Sequence, residues 1–417
     1  MKKLQNIFYA QSGGVTAVIN ATACGLIQAA RENSDKIGKV LAGHNGILGA
    51  LREELIDTSL ETDEAINSLL YTPGGAFGSC RYKLKAADGN TAEYERLFEV
   101  FKAHNIAYFF YNGGNDSQDT TLKISEMSQR LGYPLVCIGI PKTIDNDLPL
   151  TDNCPGFGSV AKYITTSIRE GAFDVASMAA TSTQVFIMEV MGREAGWIAA
   201  AGGLAAEKKG DAPHIILFPE IPFDEPKFLA KVTDCIKKYS SCAIIVSEGL
   251  RNQQGNYLVE STKTDAFGHH QLGGIAPVIA DIITRNLSYK CHYAVCDYLQ
   301  RSARHLASQT DLVQAYSLGS AAIDLVLKGA DGIMLTIERK SSEPYEWAIG
   351  TAPLSKVANA EKYLPRDYID KEGFGISKKG REYFLPLIQG EAYPPYKNGM
   401  PDYGGKLQFK KVKKCLA

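Results

Sequence analysis

Residues 141–147 of this chain, Pro-Lys-Thr-Ile-Asp-Asn-Asp, bring two carboxylates, a hydroxyl and a lysine amine into one short segment. One carboxylate can take a proton from an attacking hydroxyl, and the other can help to hold Mg²⁺. The lysine can neutralise the charge of a phosphate group. This combination favours phosphoryl transfer, with a solvated polar turn as the alternative.

The position of this segment supports a role in ligand binding. The apolar run 135–140, Leu-Val-Cys-Ile-Gly-Ile, directly precedes it and predicts a buried strand. In α/β proteins, ligands bind beyond the carboxyl ends of the strands. We therefore expect residues 141–147 to lie at the ligand-binding edge of a sheet.

Two glycine pairs have the composition of phosphate-binding turns. Gly13-Gly14 and Gly113-Gly114 each separate a predicted strand from a predicted helix, and the second pair precedes Asp116 closely. Glycine lets backbone N–H groups approach a phosphate at a helix N-terminus. Neither pair matches GxGxxG or GxxxxGK[ST], so neither a dinucleotide fold nor a P-loop is predicted. A tight connection and an N-cap are the alternatives.

Charged residues also occur at the ends of other predicted strands or beside glycine. Arg81 follows a glycine-rich stretch, where an arginine can meet a transferring phosphoryl group. Arg193, Glu248 and Arg301 each follow an apolar run. Taken singly, such residues are more typical of surface ion pairs.

Short apolar runs alternate with helix-like stretches along most of the chain. This alternation predicts an α/β fold with a mostly parallel sheet covered on both faces. No strand is predicted after residue 298. The predicted strands are 5–10, 107–111, 135–140, 185–190, 214–218, 243–247 and 293–298, and the predicted helices include 15–31, 119–130 and 159–173.

Composition and charge exclude several functional classes. A chain of 417 residues with 45% hydrophobic and 22% charged residues is typical of a globular protein of two or three domains. The net charge of −1 argues against nucleic acid as a partner. Nine cysteines without a CxxC pair indicate reduced thiols in a cytoplasmic protein. The apolar run 195–206 is shorter than the ~20 residues that span a bilayer, so no membrane association is expected.

Taken together and in this order, these segments resemble the phosphofructokinase family. The motifs that carry the resemblance are Thr-Ile-Asp-Asn-Asp at 143–147 and Met-Gly-Arg at 191–193. The resemblance implies two Rossmann-like three-layer α/β domains with mostly parallel sheets and the active site in the cleft between them. It places residues 1–156 and 301–350 in a phosphoryl-donor domain, and residues 157–300 and 351–417 in a sugar-phosphate domain.

The resemblance also implies a reaction, the Mg²⁺-assisted transfer of a phosphoryl group to the 1-hydroxyl of fructose 6-phosphate. By position, Asp145 is the base that accepts the hydroxyl proton, Thr143 holds the transferring phosphoryl group and Arg81 stabilises its charge. Asp147 supports the metal or the sugar, and Gly13 contacts the donor phosphate. The other expected substrate-binding residues are Ile144, Met191, Gly192, Arg193, Glu248, Tyr298 and Arg301.

Two positions bear on the phosphoryl donor. The ATP-dependent branch of the family has glycine where this chain has Asp116 and Lys142, and the Asp/Lys pair resembles the pyrophosphate-dependent branch. A carboxylate at Asp116 would repel the α-phosphate of ATP, while Lys142 adds a cation beside a compact donor. Pyrophosphate is therefore the expected donor, and the reaction is expected to be reversible.

Three positions depart from the family pattern. Asn115 stands where a metal-associated aspartate is usual, and a neutral amide binds Mg²⁺ more weakly than a carboxylate. Asn115 and Asp147 remain the expected metal positions. Gln184 and His292 replace arginines that normally hold the sugar's 6-phosphate, often from a neighbouring subunit. Lys290 and His292, at i and i+2, share one strand face and can compensate.

These departures leave the acceptor open. The leading hypothesis is a magnesium-dependent transferase with pyrophosphate and fructose 6-phosphate as substrates. A second is a kinase of the same fold that acts on another sugar phosphate or a polyol, and a third, motivated by Asn115, is a weakly active regulatory subunit that binds sugar phosphates. The resemblance implies a homodimer or homotetramer.

Overall fold

The computed structural model describes residues 4–84, 91–259, 272–403 and 407–416. Among these residues, no helix is long and apolar enough to cross a lipid bilayer. The strands are β1 (Asn6–Ser12), β2 (Val40–Gly43), β3 (Leu55–Asp57), β4 (Ser79–Cys80), β5 (Ile106–Gly113), β6 (Val136–Pro141), β7 (Val185–Val190), β8 (Ile215–Leu217), β9 (Cys242–Ser247), β10 (Cys291–Val295), β11 (Ile333–Ser342), β12 (Tyr345–Pro353), β13 (Tyr396–Lys397) and β14 (Met400–Pro401).

The helices surround these strands. The α-helices are α1 (Ile19–Glu32), α2 (Ile47–Leu51), α3 (Asp63–Ser68), α4 (Ala92–Ala103), α5 (Asn115–Arg130), α6 (Phe157–Met178), α7 (Trp197–Ala201), α8 (Glu225–Tyr239), α9 (Ile275–Leu287), α10 (Asp297–Ser302), α11 (Gln309–Leu327), α12 (Leu354–Val357) and α13 (Lys378–Phe384). Short 3₁₀ helices occur at Thr58–Leu60, Gly202–Ala205, Arg304–Leu306, Arg366–Tyr368 and Leu385–Ile388.

The chain folds into two compact units. Unit 1 consists of Met1–Gly156, Gln309–Glu361 and Glu391–Ala417, and unit 2 of Phe157–Ser308 and Lys362–Gly390. The division after residue 156 coincides with the expected one. The later boundaries differ from the expected ones. Residues 301–308 belong to unit 2, and residues 351–417 are divided between the two units.

Unit 1 is built on an eight-stranded sheet in the order β12-β11-β6-β5-β1-β2-β3, with β4 also paired to β1. Pairing is parallel except at the two ends, where β2–β3 and β11–β12 are antiparallel. Side chains on both faces of the central strands are buried, in two separate apolar clusters. The predicted α/β class with a mostly parallel sheet is confirmed.

The hairpin of β11 and β12 was not predicted from the sequence. Its strands pair from Ile333–Pro353 at the base to Ser342–Tyr345 at the tip. The outer part of both strands is largely exposed, so the sequence there lacks the buried apolar run by which the other strands were found. This hairpin places residues 351–353 in the sheet of unit 1, whereas they were expected in the second domain.

The C-terminal segment 407–416 extends the same sheet beyond β3. Ile56 forms an antiparallel bridge with Lys411. The carboxylates of Glu53 and Glu61 accept backbone N–H groups from this segment. These contacts explain why residues 391–417 belong to unit 1 and not, as expected, to the second domain.

Unit 2 contains a parallel four-stranded sheet in the order β10-β7-β9-β8. The prediction of a strand at 185–190 matches β7, and the prediction at 243–247 matches β9 to within one residue. The strand predicted at 293–298 is wrong in its second half, because Tyr298 lies in helix α10. The backbone N–H of Cys296 donates to Glu189 at 3.0 Å, and Asp297 then turns the chain with a φ of 37°.

Helices α1 and α11 of unit 1 approach each other closely at two glycines. A Cβ atom on Gly25 would lie 2.1 Å from the backbone oxygen of Tyr316. A Cβ atom on Gly319 would lie 2.0 Å from the backbone oxygen of Thr22. Glycine at both positions is therefore required for this packing, which fixes the helix that follows the Gly13-Gly14 turn.

We expect Gly25→Ala to destabilise the protein by about 1–3 kcal/mol, because a backbone carbonyl cannot move aside for the new methyl group. Helix propensity alone predicts the opposite sign, a gain of about 1 kcal/mol. Urea unfolding measures the difference. Gly171→Ala in α6 is the matched control, since its Cβ atom would meet only the ring of Phe186, at 2.7 Å, and should cost less. A stabilised Gly25→Ala variant would contradict this account of the packing.

Candidate active site

The expected donor-site residues of unit 1 follow four neighbouring strands. The strands β4, β1, β5 and β6 are mutually parallel, so their carboxyl ends meet at one edge of the sheet. Gly13 follows β1, Arg81 follows β4, Asp116 lies just after β5 and Lys142 follows β6. The structure therefore brings these four residues, together with the segment 143–147, to a common edge.

The Lys142 side chain is held against the first glycine turn. Lys142 is only 4% exposed, and its Nζ donates a hydrogen bond to the backbone oxygen of Gly14 at 2.6 Å. Gly13 has a φ of +73°, and a Cβ atom there would lie 3.6 Å from the same Nζ. The positive φ favours glycine at this turn, and the turn lies in direct contact range of the lysine amine.

The segment 143–147 is fixed by Asn146. This residue is fully buried with a left-handed φ of 55°, and its Oδ1 accepts a hydrogen bond from the Cys154 backbone N–H at 3.0 Å. Thr143 Oγ1 accepts the backbone N–H of Asp145 at 3.1 Å. Asp145 and Asp147, on either side of Asn146, remain partly exposed. No role was predicted for Asn146 from the sequence, although asparagine is among the few residues that tolerate this backbone conformation.

Asn115 has a structural role that the sequence did not indicate. Its Nδ2 donates to the backbone oxygen of Ala360 at 2.5 Å, and its Oδ1 accepts the backbone N–H of Asn359 at 2.8 Å. This amide oxygen, a neutral ligand that Mg²⁺ binds more weakly than a carboxylate, is thus already engaged in one hydrogen bond. The prediction that Asn115 holds the metal is disfavoured by this geometry.

Asp116 forms an ion pair with Lys83, a residue for which no role was predicted from the sequence. The Nζ of Lys83 lies 3.3 Å from Oδ1 of Asp116, in the first turn of helix α5. Lys83 stands two residues after Arg81, and this proximity was the only signal in the sequence that could have identified it.

In unit 2, the expected sugar-phosphate residues gather at the carboxyl end of β7 and β9. The backbone N–H of Gly192 donates to Oε1 of Glu248 at 3.3 Å, and Ser247 Oγ donates to the Gly192 carbonyl at 2.6 Å. Gly192 has a φ of +132°. This turn holds Met191 and Arg193 beside Glu248.

Helix α10 adds Tyr298, Gln300 and Arg301 to this group. Gln300 Oε1 accepts the backbone N–H of Met191 at 3.3 Å, which ties the helix to the turn after β7. The guanidinium of Arg301 lies 3.7 Å from the ring centre of Tyr298. A planar cation stacked in this way is held in one orientation, which suits it to bind a phosphate.

Burial raises the pKa of Glu248 to about 7, with the carboxylates of Glu189 and Asp297 adding to the increase. The Gly192 N–H and the Arg193 guanidinium act in the opposite direction. Near neutral pH, this carboxyl group can therefore both donate and accept a hydrogen bond, as binding of sugar hydroxyls requires.

Comparisons with known proteins identify the family of this chain. The sequence profile described as phosphofructokinase matches residues 6–326. The chain belongs to the phosphofructokinase family. It is 61% identical over 411 residues to the pyrophosphate–fructose 6-phosphate 1-phosphotransferase of Halomonas elongata, with 99% of this chain and 98% of that one covered.

A second relative and a crystal structure extend this comparison. The chain is 59% identical over 399 residues to the pyrophosphate–fructose 6-phosphate 1-phosphotransferase of Methylococcus capsulatus, with 96% of this chain and 95% of that one covered. It superposes with a TM-score of 0.92 on the pyrophosphate-dependent phosphofructokinase of Nitrosospira multiformis, at 57% identity and with 99% of both chains covered.

Within one phosphofructokinase chain, Lys290 and His292 do not join the sugar-phosphate group. The Lys290 carbonyl accepts the backbone N–H of Gln184 at 3.1 Å, and His292 pairs with Phe186, so both lie at the amino end of β7. At ~3.3 Å per strand residue, this end is roughly 20 Å from Met191. The expectation that they compensate at the 6-phosphate, where the usual arginines often come from a neighbouring subunit, therefore stays a prediction.

We expect Asn146→Ala to destabilise the protein by about 1–3 kcal/mol, because alanine loses the hydrogen bond to Cys154 and disfavours the left-handed backbone. Asn146→Gly keeps the backbone conformation and loses the hydrogen bond to Cys154, so the decrease in the free energy of unfolding should be smaller. Urea unfolding of both variants measures the difference. Equal stability of Asn146→Ala and the wild type would contradict the role assigned to Asn146.

The raised pKa of Glu248 makes stability depend on pH. The neutral form is favoured in the folded state, so this contribution is complete below the usual value of 4.5 and is lost as the pH rises to about 7. We expect the Tm of Glu248→Gln to rise relative to the wild type between these pH values and to level off above them.

A matched control is Glu372→Gln, because Lys231 lowers the pKa of Glu372. Its Tm relative to the wild type should be constant over the same pH interval. A Glu248→Gln difference that is also constant would show that burial does not shift the pKa of Glu248.

Proposed function

We propose that the protein transfers a phosphoryl group from pyrophosphate to the 1-hydroxyl of fructose 6-phosphate, giving fructose 1,6-bisphosphate and phosphate. The observation that carries this proposal is the buried amine of Lys142 on the Gly13-Gly14 turn, at the same sheet edge as Asp116. A fixed cation suits a compact anionic donor, and a carboxylate disfavours the longer phosphate chain of ATP. Relatives 59–61% identical over nearly the whole chain carry this activity in their names.

The proposed mechanism follows from the residues of unit 1. Asp145 accepts the proton of the attacking 1-hydroxyl, whose oxygen forms a bond to one phosphorus of pyrophosphate. The P–O–P bridge breaks and phosphate leaves. Lys142 and Arg81 neutralise the charge on the phosphoryl oxygens, and the hydroxyl of Thr143 holds the transferring group. We expect the reaction to run in both directions.

We assign the magnesium site to the segment 143–147. Its carboxylates are partly exposed on a segment locked by Asn146, and they supply the hard oxygen ligands that Mg²⁺ requires. Asp147, together with oxygens of the donor, would hold the ion, since Asn115 already accepts a hydrogen bond. When bound, Mg²⁺ neutralises charge on the donor phosphates.

We assign sugar-phosphate binding to the group at the carboxyl end of β7 and β9. Arg193 and Arg301 provide cations for the 6-phosphate, and Glu248 provides hydrogen bonds to sugar hydroxyls. The backbone of Met191 and Gly192 and the ring of Tyr298 complete the set.

A homodimer or homotetramer is part of the proposal. Strand β10 is an edge strand that exposes Tyr293 and Val295, and helix α6 exposes Phe173 and Met178. Apolar side chains on an open sheet edge favour association with a second copy. A neighbouring copy could then provide Lys290 and His292, which lie on and beside this edge strand, to the 6-phosphate. A cytoplasmic location is supported by nine cysteines that are all free thiols.

A second candidate function is favoured by the absence of arginine at positions 184 and 292. With Gln184 and His292 there, the site has fewer cations for a 6-phosphate, so a pyrophosphate-dependent kinase of another sugar phosphate or a polyol is the alternative. A weakly active regulatory subunit is a third possibility, but Asp145, Lys142 and Arg81 together are those of an active enzyme.

The deciding experiment is an initial-rate assay with fructose 6-phosphate and Mg²⁺ that compares pyrophosphate with ATP. We expect turnover with pyrophosphate and little with ATP. Asp145→Asn should lower kcat by about 10²–10⁴-fold, because it removes the general base. Its affinity for fructose 6-phosphate should stay within about threefold of the wild type, or roughly 0.7 kcal/mol.

Other outcomes lead to different conclusions. Turnover with ATP alone would overturn the role given to Asp116 and Lys142. No turnover with either donor would favour a different acceptor, to be sought with pyrophosphate and a panel of sugars and polyols. No turnover on any acceptor, with sugar phosphate still bound, would favour the regulatory subunit.

A further inference from the structure

The ion pair of Lys83 and Asp116 lies at the edge where the donor is proposed to bind. The two charged groups are 3.3 Å apart, with side-chain exposures of 45% and 28%. Lys83 follows Arg81 after β4, and Asp116 lies in the first turn of α5 after β5. Both strands pair with β1, on opposite sides, so the pair connects the ends of β4 and β5 across the Gly13-Gly14 turn.

An unpaired carboxylate at this position would oppose the proposed reaction. Pyrophosphate carries several negative charges, so a lone Asp116 would repel it as well as ATP. The helix dipole places about half a positive elementary charge at the N-terminus of α5, which offsets only a part of the negative charge of Asp116. A second cation is needed if Asp116 is to exclude a longer donor without weakening a short one.

We propose that Lys83 and Asp116 form a charge-compensated wall that limits the donor site to two phosphoryl groups. Lys142, whose amine is held on the glycine turn, is the residue that the proposed function assigns to direct binding of the donor phosphates. Lys83 is a positioning residue that acts through Asp116, because it neutralises the carboxylate and holds it in one place. This inference rests on the proposed use of pyrophosphate.

The wall has a steric and an electrostatic component. A carboxylate held by an ion pair has fewer rotamers than a free one, so it occupies the space that a third phosphoryl group would need. The pair is nearly neutral, so a diphosphate beside it meets little repulsion. Loss of Lys83 alone should therefore weaken the binding of pyrophosphate. Loss of both side chains should allow a donor with three phosphoryl groups to bind.

The first test compares Lys83→Met with the double variant Lys83→Met/Asp116→Asn. We expect the single substitution to raise KM for pyrophosphate about tenfold, or ~1.4 kcal/mol, with kcat within about twofold of the wild type. The double variant should recover KM to within about threefold, because no uncompensated charge remains. Lys83→Arg should retain the wild-type KM, since it keeps the cation.

The matched control is Lys123→Met. Lys123 also pairs with an aspartate of α5, Asp119, at 2.5 Å. Lys123 lies about two helical turns beyond Asp116, away from the helix N-terminus. Its substitution should leave KM for pyrophosphate unchanged. A Lys83→Met enzyme with the KM of the wild type, or a double variant whose KM is no lower than that of Lys83→Met, would overturn the proposal.

The second test measures donor length by calorimetric binding of methylenediphosphonate and tripolyphosphate with Mg²⁺. The wild type should prefer the diphosphonate, and Lys83→Ala/Asp116→Ala should lose about tenfold of that preference. This test needs no acceptor, so it separates the two ideas. Wild type that binds the diphosphonate, with a preference unchanged in the variant, would overturn the wall alone. Wild type that does not bind it would overturn both the wall and the proposed function.

Discussion

The buried amine of Lys142 on the carbonyl of Gly14 is the interaction on which the rest of unit 1's site depends. A cation that is 4% exposed is costly to desolvate, and this hydrogen bond offsets part of that cost. The bond in turn requires a turn without a side chain at Gly13, directly after β1. It also requires β6 to end where it does, so that the lysine reaches two strands across the sheet. Sheet order, strand length and glycine placement are therefore constrained by one side chain.

Much of this arrangement could be predicted from the sequence, because its determinants are local. Buried parallel strands are continuous apolar runs, and β7 was located to the residue. The glycine pairs and the polar segment after β6 follow such runs directly, so their position at a sheet edge was predictable. Asp145, Asp147 and Lys142 were placed at this edge in this way, whereas Arg81 was noted because it follows a glycine-rich stretch.

The remainder depended on contacts between residues far apart in the chain. No role for Lys83 could be predicted from the sequence, because its partner Asp116 lies 33 residues later in the chain. Asn115 resembled a weakened metal ligand, but its partners Asn359 and Ala360 lie more than 240 residues away. Lys290 and His292 were predicted to share one strand face, but the predicted strand 293–298 began after both of them, whereas β10 begins at Cys291. An apolar pattern predicts a strand and not its register against a neighbour.

The C-terminal segment 407–416 beside β3 has a consequence for the order of folding. Its partners Ile56, Glu53 and Glu61 lie about 350 residues earlier, and unit 2 is inserted between them. The described strands of unit 2 fall between Val185 and Val295, so its sheet can form while the chain is still being synthesised. Unit 1 has to keep the outer edge of β3 unpaired until the last residues of this segment are available. Completion of its sheet is therefore a late step, governed by closure of one long loop.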